Sequence, residues 1–221
     1  LRYFRRIFIR DKESVIETIN KRHPIFQSQT HNQLSNFQLY YDAFGDRLRF
    51  IELIRHPVDI IDAWMRRGFG KRLGVDPLQL TMCIKYKGVD IPYLASGWED
   101  TYLTATPMER VVKMIESWWR SSLSAYNSLT DKMKEQILFI PFEDFVQHTH
   151  PYLDSIGMFI GSDITRHTKV ILRRENCPRT VLPSEREKKI QVLDGNLSEE
   201  YMEIVRQLAE EYTEWSDKFV V

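Results

Sequence analysis

Two cysteines, Cys83 and Cys177, are too few for a disulfide framework or a four-cysteine zinc site. A chain of 221 residues buries a full core without such staples. No apolar run reaches the roughly 18 to 20 residues needed to cross a bilayer. Net charge is also absent, with 31 Lys and Arg against 31 Asp and Glu, which argues against a large phosphate-tracking surface of the nucleic-acid kind. Only local basic clusters remain, such as Arg66-Arg67 and Arg173-Arg174. There is no repeat of 20 to 50 residues and no low-complexity tract, so a solenoid or an array is not expected. Leu1 opens the chain without a methionine or a signal-peptide pattern, so the sequence is expected to be part of something longer. The compartment stays open, with the cytoplasm favoured. At 43% apolar residues, the composition is that of one soluble globular domain.

Two segments read as buried strands, Arg49 to Ile54 and Ile137 to Phe142, both short, apolar and β-branched or aromatic. Ile25 to Ser28 is a weaker third. Thr106-Pro107-Met108-Glu109 has the form of a capping box with proline at the first helical position. It predicts a helix to about Leu129 that carries Val111, Val112, Ile115, Trp118 and Trp119 on one side, with both tryptophans in the core. Ser198 is expected to cap a second helix through Tyr201, Ile204, Val205, Leu208 and Tyr212, and Asp11 to open one through Val15, Ile16 and Ile19. Strands alternating with helices predict an α/β fold, a parallel sheet flanked by helices, with function at the carboxyl ends of the strands. Residues 68–104 break the alternation. They are rich in Gly, Tyr and Pro, and the Lys87 to Pro92 piece reads as a hairpin or a loop. A long irregular insertion in a compact domain is more often functional than idle, so this segment is read as a lid or a substrate-facing element.

The most informative stretch runs from Phe50 to Arg67. A strand ends at Arg55, and Pro57 then fits the first turn of a helix that turns Ile60, Ile61 and Trp64 inward. A guanidinium therefore stands at a strand's carboxyl end beside a helix amino terminus, whose free N–H groups and dipole favour an anion. Arginine adds a planar fork of donors suited to phosphate or sulfate. The same arginine could equally pair with a nearby carboxylate such as Asp59.

Arg55-His56-Pro57-Val58-Asp59 at the end of an apolar strand resembles the 3′-phosphate-binding motif of sulfotransferases that use 3′-phosphoadenosine 5′-phosphosulfate. There the usual form is Arg-Asp-Pro-x-Asp followed four residues later by serine. The serine position falls on Ala63, which removes one phosphate ligand. Gln29-Thr30-His31 lies where family members carry Lys-Thr-His, and the resemblance implies His31 as catalytic base, a role imidazole suits near neutral pH. Phe142-Glu143-Asp144 resembles the family's Tyr-Glu-Asp, which implies Phe142 as the ring against the adenine. Arg173, Arg174 and Arg179 fall, by position and charge, where the family places a basic loop over the 3′-phosphate.

The resemblance thus implies a single sulfotransferase-like domain over residues 1–221 with a P-loop-NTPase-like sulfotransferase fold. The implied donor is 3′-phosphoadenosine 5′-phosphosulfate, no metal is required, and the acceptor is a small molecule or a glycan, with residues 68–104 as the variable acceptor-facing insertion. The strand–loop–helix that holds the 5′-phosphosulfate in the family has no counterpart in the 30 residues before His31, and the chain is expected to begin after it. Two other classes stand beside the enzyme. A non-catalytic domain that keeps the fold for binding would explain Ala63 and Gln29. A P-loop kinase would require an upstream Gly-Lys-Ser/Thr loop and an acidic magnesium ligand.

Overall fold

The computed structural model describes residues 17, 20, 21, 25, 27–29, 31–79 and 81–220. The chain divides into two units, Leu1–His31 and Asn32–Val221. In the first, Glu17, Asn20 and Lys21 are helical, and Lys21 Nζ donates to Glu17 at 2.9 Å. The helix expected from Asp11 through Val15, Ile16 and Ile19 lies outside the described residues. The third strand does not form at Ile25, Gln27 and Ser28. Polar residues follow Ile25 too closely to build an apolar strand face, and Ile25 itself is 63% exposed.

In the second unit the order is helix α1 (Phe37–Phe44), strand β1 (Phe50–Ile54), helices α2 (Pro57–Arg66) and α3 (Phe69–Arg72), strands β2 (Cys83–Tyr86) and β3 (Val89–Pro92), helices α4 (Glu99–Thr104), α5 (Pro107–Ser128) and α6 (Asp131–Lys134), strand β4 (Ile137–Pro141), and helices α7 (Phe142–Gln147), α8 (Thr149–Ile160), α9 (Thr168–Arg174), α10 (Pro183–Asp194) and α11 (Glu199–Ser216). It is α/β and mostly helical. Strands β1 and β4 pair in parallel, from Phe50 opposite Ile137 to Ile54 opposite Pro141. A parallel pair needs a long crossover, and residues 55–136 supply it. The carboxyl ends of both strands consequently open on the same side, where α2 and α7 begin.

Helix α5 starts as its sequence dictates. Thr106 Oγ1 accepts from the Glu109 N–H at 3.3 Å, and Glu109 accepts from the Thr106 N–H at 2.7 Å. Ser198 occupies the corresponding position before α11, but its side chain makes no capping bond. The main core packs α2, α5 and α11 together through Val58, Ile61, Val111, Val112, Ile115 and Leu208. A second cluster joins Ile54 and Phe139 of the sheet to Leu34, Phe37 and Tyr212. The expected sheet is covered on both faces, whereas Ile51 and Leu53 of β1 are 41% and 53% exposed. Among the described residues no helix is long and apolar enough to cross a membrane.

Residues 68–104 are anchored rather than detached. Strands β2 and β3 form an antiparallel hairpin, with Tyr86 opposite Val89, which settles the hairpin-or-loop alternative. Leu73, Ile91, Ala95 and Tyr102 from this stretch are buried in the main core. Gly70 sits directly against the Pro107 carbonyl, and a Cβ there would come 1.9 Å from that oxygen. Only glycine permits the close approach of α3 to α5.

Candidate functional site

At the end of β1 the chain turns through Arg55 and His56 into α2. His56 is buried, and its Nδ1 accepts from the Val58 N–H at 3.3 Å, so histidine acts here as the helix cap. An accepting Nδ1 leaves the proton of the neutral ring on Nε2. Burial, aided by the positive charge of Arg186, pushes the His56 pKa down to about 4, so the ring is neutral near pH 7.

Strand β4 ends at Pro141, which cannot donate to a further ladder bond. Phe142 therefore opens α7 instead of closing the strand, with Glu143 and Asp144 as acidic residues in the first helical turn. Glu143 links the two strand ends. Its carboxylate accepts from the His56 N–H at 3.2 and 3.3 Å, accepts from the Tyr212 hydroxyl at 2.5 Å, and lies 3.9 Å from Arg55 Nε. Burial and the neighbouring Glu143 charge both hold the Tyr212 hydroxyl protonated far above its usual range.

Arg55 lies with its guanidinium carbon 5.0 Å from the Phe142 ring centroid, and Arg179 lies 5.8 Å from the same centroid. The Arg55 Nε is buried and has no hydrogen-bond partner among the described residues. Arg179 is exposed and is fixed by its backbone, whose N–H donates to the Val146 carbonyl at 2.7 Å, while its Nη1 donates to the Glu175 carbonyl at 3.2 Å. Three residues singled out from sequence, Arg55, Phe142 and Arg179, thus converge at the carboxyl ends of the two parallel strands. Arg173 and Arg174 do not join them at that ring. Both are exposed in the last turn of α9, and Arg174 is paired with Glu175 at 2.8 Å. His31 closes the first unit and is exposed.

The alternative partner for Arg55 is not Asp59. That carboxylate is buried in the first turn of α2 and binds two cations from α10, Lys189 at 2.5 Å and Arg186 at 3.1 Å. Burial works to raise the Asp59 pKa, but the Lys189 hydrogen bond and the Arg186 charge outweigh it and hold the group below its usual value. The carboxylate facing Arg55 is Glu143. Ala63, at the expected serine position, brings no hydroxyl to α2.

Sequence reasoning passed over Glu52. Midway along β1 it stands on the same face as Phe50 and Ile54, and burial alone pushes its pKa up to about 7. A lone acid inside Phe-Ile-Glu-Leu-Ile is the signal that would have found it. The roles of Glu143 and Tyr212 had no such signal, because their partners lie far apart in sequence. Among the described residues no three His, Cys, Asp or Glu side chains group as a metal site. No family model, curated protein or solved structure matches the chain.

Proposed function

We propose that the chain is a sulfotransferase domain whose Arg55, Arg179 and Phe142 bind the 3′-phosphoadenosine end of 3′-phosphoadenosine 5′-phosphosulfate. The observation that carries this reading is the convergence of two guanidinium groups on one aromatic ring where parallel strands end. A phosphate takes charge-assisted hydrogen bonds from both arginines, including the Arg55 Nε–H, which has no other acceptor among the described residues. Phe142 offers a flat apolar face against which a base can stack once a guanidinium group over the ring turns to the phosphate. Glu143 works in the other direction. It holds the two strand ends together, yet its negative charge beside Arg55 reduces the net charge of the site and so limits phosphate affinity.

In this reading a sulfuryl group passes from the donor to a hydroxyl or amine of a small-molecule or glycan acceptor. The bond from sulfur to the acceptor forms as the bond to the donor's bridging oxygen breaks, and a base takes the acceptor proton, the role that the resemblance gives to His31. No metal is needed, because catalysis rests on positioning and on neutralising charge at the leaving oxygen. The fold in this proposal is the P-loop-NTPase-like sulfotransferase fold, supported by the parallel pairing of β1 with β4 and by a helix starting directly after each strand.

A second reading has its own observation. Ala63 leaves the α2 side of the site without the hydroxyl that would complete a phosphate cradle, which favours a domain that binds nucleotide without transferring sulfate. Calorimetric titration tests the shared premise. Adenosine 3′,5′-bisphosphate should bind and adenosine 5′-monophosphate should bind at least tenfold more weakly, and equal affinities would remove the basis of both readings. With binding in hand, transfer of labelled sulfate to a panel of phenols, sugars and amines separates the enzyme from the binding domain.

A further inference from the structure

Beneath β1 lies a cavity of about 80 Å³, partly open to solvent, whose wall is almost wholly apolar. Trp118, Trp119, Tyr126 and Trp215 are among its aromatic lining, and Glu52 and Ser122 are polar members of the wall beside the Tyr126 hydroxyl. We propose that this cavity binds a small primary amine, with the ammonium held between Glu52 and Ser122 and the aliphatic body against the aromatic rings.

Glu52 is half-buried and Ser122 is buried, and neither side chain has a protein partner among the described residues. The Ser122 hydroxyl is buried with no hydrogen-bond partner among the described residues. No hydrogen bond or ion pair reaches Glu52 among them either, and burial is the sole influence on its carboxyl group. A carboxylate in an apolar wall needs a donor, best a cationic one, because attraction between opposite charges grows as water is excluded. A hydroxyl oxygen accepts a second N–H from the same ammonium, which a quaternary ammonium cannot offer. The rings add the favourable interaction of a cation with a π face.

The one cation in the wall, Arg55, does not fill this role. Its charge is met by Glu143 at 3.9 Å, and its guanidinium is turned over Phe142. The rings are held in advance of any ligand. Trp119 Nε1 donates to Glu211 at 2.7 Å, Trp118 packs on Trp64 with centroids 5.8 Å apart, and Tyr126 meets Trp215 edge-on at 5.1 Å. The volume is below the roughly 150 Å³ that takes benzene, so the ligand must be smaller than benzene, an amine of about three carbons. The cavity shares Arg55 with the proposed phosphate site but differs from it in chemistry, and it stands whether or not the nucleotide reading does.

The test is a titration of the whole chain with n-propylamine, n-propanol, propanoate and tetramethylammonium, followed by calorimetry and by tryptophan fluorescence, since three tryptophans line the cavity. Propylamine should bind at one site at least tenfold more tightly than the other three and should change the fluorescence. Glu52→Gln, which keeps size and removes charge, should weaken propylamine at least tenfold while leaving propanol within about threefold. Ser122→Leu fills the space and should weaken both. Propylamine binding no tighter than propanol, or unchanged in Glu52→Gln protein whose circular dichroism matches the parent, overturns the proposal.

Discussion

Replacing Glu52 by glutamine should change how stability depends on pH, and the size of the effect follows from the burial of that side chain. Its folded pKa of about 7 lies well above the ordinary 4.5. The folded protein therefore holds a proton that the unfolded chain has released between those values. Stability associated with Glu52 is complete below pH 4.5 and is lost as pH rises toward 7. At about 1.4 kcal/mol per pKa unit, a shift of this size corresponds to about 3 kcal/mol at pH 8 and to less than about 1 kcal/mol at pH 5. His56 does the opposite. With its pKa pushed from 6.5 down to about 4, its contribution is complete above pH 6.5 and is lost as pH falls toward 4, again by about 3 kcal/mol. The two slopes overlap between pH 4.5 and 6.5 and largely cancel, so for these groups the parent protein should be flat there. Urea denaturation of parent and Glu52→Gln protein at pH 5 and pH 8 reads the difference directly. The gap between them should widen in favour of the variant by about 2 to 3 kcal/mol from pH 5 to pH 8. A gap that does not change with pH would refute the claim that the half-buried Glu52 side chain has no partner.

His56→Asn keeps a capping oxygen but cannot titrate, so it should expose the Glu52 slope, with stability declining from pH 4.5 to 7 in the same urea measurements. Gly70→Ala forces α3 away from Pro107 and should cost more than about 3 kcal/mol, read as a lower urea midpoint. Glu143→Gln should lower stability by about 1.5 to 3 kcal/mol through its weakened bonds to His56 and Tyr212. The same change should tighten adenosine 3′,5′-bisphosphate binding by removing the negative charge beside Arg55. Arg179→Ala should weaken that binding at least tenfold and Arg174→Ala by less than about threefold, and equal effects would show that the Phe142 cluster is not the site.

The framework was legible where local chemistry decides it. The apolar runs gave β1 and β4, and the Thr106-Pro107-Met108-Glu109 box gave the start of α5. The apolar run extends one residue beyond the strand, to Phe142, although Pro141 and the two following acids mark a helix start. The site was legible only in part. Arg55, Phe142 and Arg179 could be singled out by order along the chain, but not Glu143, whose contacts to His56 and Tyr212 span 87 and 69 residues. Charge pairing was equally hidden, since α10 supplies the partners of Asp59 from more than 120 residues away. The cavity beside Glu52 arises from the packing of α5 and α11 under the sheet, which no single segment encodes.

The most direct test of the phosphate site is calorimetric titration of the parent protein and Arg55→Ala with adenosine 3′,5′-bisphosphate and adenosine 5′-monophosphate. The account predicts a preference of at least tenfold for the bisphosphate in the parent, and its loss in the variant with the fold unchanged. No binding by the parent, or a preference that survives Arg55→Ala, would contradict it.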